Sequence, residues 1–381
     1  MSSIAGARYF SGLLRYLERM SGRTNLEWKF KTIIWITVAW TLISMLQLCY
    51  EAAVLKEYGY AYRWSRPGAF MTYFLINSLS FVLNGFIGGL VIVLFIRPWI
   101  RNRSYSTGLL FGMAVYVALF FLLTCLQNFF VIRSIYDGGT SFSAAYFQGL
   151  EDYFFSYEFA RIFPFWLLVL AGTLIALFVS DKYGPGVLGK FLLGKYFHPQ
   201  NEDRIFMFLD LKGSTGIAEK LGERAYFHFI RQVFADVTPV LLDTQGEVYQ
   251  YVGDEIVISW KTKEGVRDQN CIRCFLNIRD LLQKLRPRYL EQFGVAPEFK
   301  AGLHVGTAIV GEIGVIKRDI AYSGDVLNTT ARIQSKCNEL GASLLLSEEL
   351  FNLFREGQLP AKAMGRVELR GKAEDVALYS L

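Results

Sequence analysis

Two aspartates in this sequence occupy positions where a carboxylate can bind a metal ion. The stretch FMFLDLKGSTGIAEK, residues 206 to 220, predicts a buried strand ending at Asp210, before a Gly-Ser-Thr turn that can begin a helix. The stretch EVYQYVGDEIVISW alternates apolar and polar residues around Asp254, which predicts a hairpin with this residue at its tip. A strand end and a hairpin tip can meet at one edge of a sheet. Taken alone, Asp210 also fits a residue that caps the following turn.

The chemistry that such a pair suggests is the binding of two magnesium or manganese ions together with the phosphates of a nucleotide. Mg²⁺ prefers oxygen ligands and is commonly shared between carboxylates and substrate phosphates. We therefore expect Asp210, Asp254 and the backbone carbonyl of Leu211 to be metal ligands.

Further along the chain, polar residues suited to phosphate groups appear in order. In SGDVLNTTARIQSKC, Gly324 and Asp325 open a predicted helix, on which Asn328 and Arg332 share one face. Arg332 is suited to neutralise charge that develops on a phosphoryl group, and Asn328 to orient the attacking oxygen or the sugar. In ELRGKAEDVALYSL, Lys372 lies on a predicted turn between two strands and is suited to a terminal phosphate. Singly, the arginine and the lysine also fit ordinary surface residues.

The elements that must position these residues alternate between strands and helices. This mixture, with its antiparallel hairpin, predicts an α+β domain in which helices pack on a sheet. The predicted strands are 204–209, 298–304, 307–311 and 342–346, with the hairpin at 247–261, and the predicted helices are 216–243, 268–293, 325–339 and 347–355.

The N-terminal half has a different composition. The chain is 52% hydrophobic and 16% aromatic, and its long apolar stretches lie before its charged half. A bilayer core requires about 20 apolar residues per helix. Four stretches meet this length without a charged residue in their middle: 32–50, 71–96, 107–132 and 162–180. The second stretch contains NGFIGGL, in which Gly85, Gly88 and Gly89 form a small-residue surface suited to close helix contact.

Domain organisation and orientation follow from these stretches. We expect an amphipathic N-terminal segment at 1–31, a transmembrane domain of four helices at 32–180, a linker at 181–202 and a catalytic domain at 203–381. Basic residues precede the first span, fill the second connection and follow the fourth span. Both termini and the catalytic domain are therefore expected in the cytoplasm, in a multi-pass protein of the inner (plasma) membrane.

The order of the C-terminal motifs resembles the catalytic domain of class III nucleotide cyclases. The motifs are FLDLKGST, YVGDEI, FKAGLHVGTAIVGEIG, SGDVLNTTARI and LRGKAEDVALYSL, and they cover roughly residues 203 to 381. The resemblance implies a ferredoxin-like α+β fold, two metal ions per active site and a homodimer with shared active sites. It places metal binding on Asp210 and Asp254, transition-state roles on Asn328 and Arg332, and phosphate binding on Lys372.

Two positions depart from the pattern of that family. Adenylyl cyclases usually read the purine with a lysine and an Asp or Thr, and this sequence has Gln250 and Ala321 at the matching places. Guanylyl cyclases usually have a Glu and a small Cys or Ser there, so neither set is matched. The resemblance implies an adenylate cyclase that converts ATP to 3′,5′-cyclic AMP and pyrophosphate, with a guanylate cyclase acting on GTP as the alternative.

Other classes of protein fit parts of the sequence. The letters GDEI are similar to part of the diguanylate cyclase motif, but that family has a second glycine where Val252 stands and lacks the Asn-x-x-x-Arg helix. A non-catalytic membrane sensor with a nucleotide-binding domain is disfavoured by the complete set of candidate site residues. A small transporter is disfavoured because no predicted span has an ionisable residue in its middle. We expect no nucleic-acid partner.

Overall fold

The computed structural model describes residues 29–51, 53–54, 69–100, 104–135, 141–183, 194–316, 318–354, 359–368 and 375–381. The described residues from 29 to 183 form one compact unit, and those from 194 to 381 form another. Most of the predicted amphipathic segment at 1–31 lies outside the described residues, as do residues 184–193 of the predicted linker.

The first unit consists of long apolar helices. They are α1 (Lys29–Glu51), α2 (Ala69–Val91, continued by a π-helical turn at Ile92–Ile96 and by Arg97–Ile100), α3 (Tyr105–Ile135), α4 (Phe142–Phe154) and α5 (Tyr157–Tyr183). Within the described residues, four helical segments are long and apolar enough to cross a membrane, and each overlaps one predicted span: Lys29–Glu51, Ser78–Trp99, Ser106–Leu126 and Phe159–Asp181. Helix α4 is an addition in the third connection that the sequence pattern does not predict. Its first turn is capped by the side chain of Ser141, which accepts a hydrogen bond from the backbone N–H of Ala144.

Helices α1 and α2 pack closely where α2 has glycines. A Cβ atom added to Gly85 would lie 3.1 Å from the carbonyl oxygen of Thr37, and one added to Gly88 would lie 2.4 Å from the ring of Trp40. The indole N–H of Trp40 donates to the hydroxyl of Thr173 at 3.0 Å, which joins α1 to α5. The glycine surface of α2 therefore contacts a helix of the same chain.

Helix α5 is held near both ends by ion pairs. Near its start, Arg161 pairs with Glu51 at the end of α1. Near its end, Asp181 accepts a hydrogen bond from Nε of Arg97 at 3.1 Å. Each pair brings an opposite charge to a residue that borders an apolar segment, which reduces the cost of placing that charge there.

The second unit is a sheet with helices on both faces. Its strands are β1 (Gln200–Leu211), β2 (Glu247–Val252), β3 (Glu255–Lys261), β4 (Phe299–Ile313), β5 (Asp319–Ser323), β6 (Leu344–Ser347), β7 (Lys362–Val367) and β8 (Val376–Ser380). Its helices are α6 (Ser214–Leu221), α7 (Glu223–Asp243), α8 (Thr262–Val266), α9 (Asn270–Phe293), α10 (Asp325–Ser335) and α11 (Glu348–Phe351). The strand order is β2-β3-β1-β4-β6-β8-β7, and β5 pairs with β4 outside this path. Strands β4 and β6 run parallel, whereas β1 is antiparallel to both of its neighbours.

One predicted helix is two helices in the structure. The pattern at 216–243 predicts a continuous helix, but α6 ends before Gly222 and α7 begins after it. The φ angle of Gly222 is +76°, a left-handed conformation that a residue with a side chain rarely adopts. The helical periodicity on both sides of this glycine therefore hides a break.

The strands predicted at 298–304 and 307–311 form the single strand β4. Gly306, between them, pairs with Arg204 of β1 and does not form a turn. The strand β5 that pairs with the far end of β4 is absent from the sequence prediction. The helix predicted at 325–339 begins at Asp325 as expected, but α10 ends at Ser335 and turns follow it.

Alternate residues of β1 face opposite sides of the sheet. Ile205, Met207 and Leu209 belong to the main hydrophobic core, which they form with α7 and α9. Phe206 belongs to a separate cluster that includes Val326 of α10. Because side chains alternate along a strand, Asp210 lies on the same side as Phe206, which we call the α10 face.

Helix α10 lies very close to β4 because two residues of this strand have no side chain. A Cβ atom at Gly302 would lie 2.4 Å from the backbone nitrogen of Gln334, and one at Gly306 would lie 3.1 Å from Cβ of Val326. The glycines of β4 thus set the distance between the helix and the sheet.

We predict that Gly302→Ala destabilises the second unit by about 1–3 kcal/mol, because the added methyl group meets a backbone atom that cannot move alone. Urea unfolding of a fragment spanning residues 194–381 measures this. Gly216→Ala is the matched control, since a Cβ atom at this position in α6 meets nothing within 4 Å. The control should be neutral or slightly stabilising, because alanine favours helix. Equal unfolding midpoints for wild type and Gly302→Ala would contradict the close packing.

Candidate active site

Asp210 lies near the end of β1, between two charged residues of the neighbouring strands. It is the direct partner of Glu255 on β3 and of Lys300 on β4, so the three side chains form a row across the α10 face. Nζ of Lys300 lies 3.3 Å from Oδ2 of Asp210. The same oxygen accepts a hydrogen bond from the side-chain amide of Gln334 on α10 at 2.8 Å.

Asp254 lies in the turn between β2 and β3. The turn is made possible by Gly253, whose φ angle is +61°. The charge of Asp254 raises the pKa of Asp210 and of Glu255, so the turn brings this carboxylate within electrostatic range of the row. Oδ2 of Asp254 is buried and has no hydrogen-bond partner among the described residues. A buried oxygen without a partner is costly unless a ligand or ion satisfies it.

Three carboxylates close together repel one another. Burial raises the pKa of Glu255 from its ordinary value to about 7, and the charges of Asp210 and Asp254 add to this shift, whereas Lys300 opposes it. Burial also raises the pKa of Asp210, against the hydrogen bond from Lys300. Among the described residues, Lys300 is the lysine that pairs with this cluster, so the site holds more negative charge than that contact neutralises, and a bound cation would relieve the excess.

The donor set fits a hard divalent cation whose remaining ligands come from elsewhere. Carboxylate oxygens suit Mg²⁺ or Mn²⁺, and the unpartnered Oδ2 of Asp254 is free to serve as a ligand. Within the described residues, no group of three or more His, Cys, Asp or Glu side chains is arranged to hold a metal. Leu211, whose carbonyl is a predicted ligand, is the last residue of β1.

On α10, Asn328 and Arg332 lie away from the face that packs on the sheet. Asn328 is exposed and Arg332 is partly buried. Nη1 of Arg332 is buried and has no hydrogen-bond partner among the described residues. Within the single chain, it is Gln334 on the packed face of α10 that contacts Asp210.

The two predicted purine-reading positions lie on strands that do not pair with each other. Gln250 is exposed on β2, and Ala321 is partly buried on β5. The neighbouring residues Tyr249 and Tyr322 join these strands: their rings meet edge to face with centroids 5.0 Å apart, and the backbone N–H of Tyr322 donates to the hydroxyl of Tyr249 at 3.3 Å. The structure thus brings β2 and β5 together across the α10 face. Lys372 lies outside the described residues.

A buried arginine supports this tyrosine pair. The guanidinium of Arg204 lies 4.9 Å from the centre of the Tyr322 ring, and its side chain is 0% exposed. It pairs with Glu202 at 2.8 Å and with Glu247 at 2.7 Å. The hydroxyl of Ser259 accepts a further hydrogen bond from it at 3.0 Å. Arg204 therefore links β1, β2, β3 and β5 next to the strands that hold the two predicted purine-reading positions.

Residues 198–381 match the family model described as the Adenylate and Guanylate cyclase catalytic domain. They form a class III nucleotide cyclase domain. The chain is 35% identical over 216 residues to Adenylate cyclase 2 of Rhizobium meliloti (strain 1021), which covers 56% of this chain and 60% of that relative. It is 23% identical over 181 residues to Adenylate cyclase 1 of the same organism, which covers 46% of this chain and 27% of that relative.

Among solved structures, the adenylyl cyclase CyaB from P. aeruginosa aligns with a TM-score of 0.43 at 20% identity, over 48% of this chain and 95% of that chain. The chain spans less than two thirds of the length of the two adenylate cyclases from Rhizobium meliloti.

The sequence alone does not single out three residues of the cyclase site. Glu255 directly follows Asp254, so its place in the chain indicates that it lies near the site. Its pairing with Asp210, however, depends on the strand register. Lys300 and Gln334 contact Asp210 from a distant strand and a distant helix. Only the register of β1 against β4 and the close packing of α10 reveal them.

We predict that Glu255 makes the metal-free cyclase domain less stable as the pH rises. Its pKa is about 7 in the folded state against an ordinary value of 4.5, so the folded state binds more protons than the unfolded state between these values. The free energy of unfolding should therefore fall between pH 4.5 and pH 7, and Glu255→Gln should reduce the fall. Urea unfolding of the 194–381 fragment in EDTA, at several pH values, measures both slopes. Identical slopes would contradict the prediction.

Proposed function

We propose that this protein is a membrane-anchored adenylate cyclase that converts ATP to 3′,5′-cyclic AMP and pyrophosphate. The observation that carries the proposal is that Asp210 and Asp254 lie within electrostatic range of each other in a cyclase domain, and that a buried oxygen of Asp254 has no hydrogen-bond partner among the described residues. The 35% identity to a protein named Adenylate cyclase 2 supports the choice of adenylate.

In this reaction the 3′-oxygen of the substrate's ribose attacks its own α-phosphorus, and pyrophosphate leaves. Asp210, Asp254 and the carbonyl of Leu211 would hold two Mg²⁺ or Mn²⁺ ions, which supply charge neutralisation and lower the pKa of the 3′-hydroxyl. Asn328 orients the ribose. Arg332 neutralises charge that grows in the transition state, so it contributes more to turnover than to binding. The unpartnered Nη1 of Arg332 is consistent with an anionic ligand.

We assign the contact with the terminal phosphate to Lys372, because it occupies the position of the family's phosphate-binding lysine in the last motif. For the base, we propose that Gln250 faces the purine and that ATP is preferred over GTP. Guanine has two neighbouring donors, its N1–H and its exocyclic amine, and a glutamate carboxylate can accept hydrogen bonds from both. The amide of Gln250 has one acceptor oxygen and two N–H donors, so it does not match this pair of donors in the same way. Ala321 contributes no side-chain hydrogen bond to either purine.

The apolar helices are proposed to anchor the enzyme in the plasma membrane. Four segments meet the length and hydropathy of a span, and basic residues flank the first, second and fourth predicted spans on one side. This pattern supports cytoplasmic termini and a cytoplasmic cyclase domain, where ATP is available.

Each active site is proposed to be shared between two subunits of a homodimer. In the part of the chain that the structure describes, Asn328 is exposed and Nη1 of Arg332 has no hydrogen-bond partner, while Gln334 makes the contact from α10 to Asp210. Asn328 and Arg332 therefore serve the site of the partner subunit, and Asp210 and Asp254 serve the site of their own.

The first test is the activity of the full-length protein in detergent with Mn²⁺ and either ATP or GTP. We expect cyclic AMP formation to exceed cyclic GMP formation at matched concentrations.

Asp254→Asn should lower turnover at least about 100-fold while circular dichroism stays unchanged, because a hairpin-tip residue contributes little to the core. Asp268→Asn is the matched control, since Asp268 is an exposed aspartate of a short 3₁₀ helix (Arg267–Gln269) outside the motifs, and it should be fully active. Equal or greater cyclic GMP formation would favour the guanylate cyclase, and an active Asp254→Asn variant would refute the metal assignment.

The second test uses two inactive variants to examine the shared site. Asp254→Ala and Arg332→Ala should each be nearly inactive, because every site in either homodimer lacks one required group. In a mixed dimer, one site lacks both groups and the other lacks neither. Mixing should therefore restore activity to at most about a quarter of wild type when subunits exchange at random. Heterodimers that form, as shown by two affinity tags, but remain inactive would contradict the shared site.

A further inference from the structure

Lys300 lies inside the carboxylate cluster of the active site. It is the direct β4 partner of Asp210, its Nζ is 3.3 Å from Oδ2 of that residue, and its side chain is only 12% exposed. On the other side of Asp210, Glu255 is the direct β3 partner. The ammonium group is therefore held next to the carboxylates that are proposed to bind metal.

Backbone pairing and packing hold this lysine in place. Lys300 lies within β4, near the strand's start, and it is flanked by the core residues Phe299 and Ala301. Gln334 holds the same oxygen of Asp210 from α10 at 2.8 Å. Lys300 and Gln334 therefore contact the same carboxylate oxygen of Asp210, Oδ2.

A fixed positive charge at this position acts on any cation that enters the cluster. The ammonium and a divalent ion are attracted to the same carboxylates and repel each other at short range. A unit charge about 4 to 6 Å from a dication changes its binding constant about tenfold or more, even with strong screening by solvent. The phosphates of a nucleotide bring negative charge of their own, which offsets this repulsion.

We propose that Lys300 is a resident counter-ion that keeps the affinity of the empty active site for divalent metal low, so that metal binds mainly together with nucleotide. The inference rests on the metal site proposed above and adds a residue that sets its affinity. Lys300 stabilises the cluster before metal arrives and opposes metal until the triphosphate is present.

The test is Mn²⁺ binding to the full-length protein in detergent at pH 8 without nucleotide, followed through the electron paramagnetic resonance signal of free Mn²⁺. Lys300→Met removes the charge at similar length, and Lys300→Gln removes it while retaining a donor for Asp210. Both should bind Mn²⁺ at least about tenfold more tightly than wild type. Lys300→Arg retains the charge and should stay within about threefold of wild type. If the methionine variant does not fold, the glutamine variant decides.

Two further variants separate the possible failures. Lys336→Met removes a partly buried lysine that directly follows the end of α10 and pairs with Glu339 at 2.7 Å, and it should leave Mn²⁺ affinity unchanged. Asp254→Asn should weaken Mn²⁺ binding. If Asp254→Asn weakens binding but neither neutral variant of Lys300 tightens it, the counter-ion role is overturned and the metal site stands. If wild type and Asp254→Asn bind Mn²⁺ equally, the metal site and the counter-ion role both fall.

Discussion

The close approach of α10 to β4 at Gly302 determines how the cyclase site is built. Because the strand has no side chain there, the backbone of Gln334 reaches a distance that any Cβ atom would block. That approach lets the amide of Gln334 hold Asp210. It also decides which side of α10 is used for packing, so Asn328 and Arg332 are left on the side that faces away from the sheet. This glycine therefore connects the core of the domain to the positions of Asn328 and Arg332.

The charges of the site follow from the strand pairing. The row Glu255–Asp210–Lys300 exists because three strands place these residues directly opposite one another. Two of the three are acids, and the hairpin turn adds a third acid, Asp254. Burial and mutual repulsion hold the pKa of Glu255 near neutrality, which means that the folded domain stores unfavourable electrostatic energy at this edge. Functional sites commonly trade stability for binding in this way, since the same repulsion favours a bound cation.

The side of the site that is predicted to face the purine depends on a different set of contacts. Tyr249 and Tyr322 join two strands that are separated in the sheet, and the buried Arg204 beneath them holds both strands through ion pairs and its contact with the Tyr322 ring. Removal of a partner of Arg204 would leave its buried charge uncompensated, so these contacts are costly to break. Gln250 and Ala321 lie next to Tyr249 and Tyr322 in the chain, so these contacts position their backbone, although neither residue takes part in them.

The sequence by itself determined the features that depend on local pattern. Hydropathy located four apolar helices, and strand and turn signals located Asp210, Asp254 and the start of α10 at Asp325. Local pattern failed at two glycines. Gly222 breaks a helix that the periodicity predicts to be continuous, and Gly306, where the pattern predicts a break between two strands, lies within β4 and lets α10 approach it closely. Only the tertiary structure decided that Glu255, Lys300 and Gln334 surround Asp210, because strand register and helix–sheet distance bring together residues far apart in the chain, and no local pattern encodes that distance.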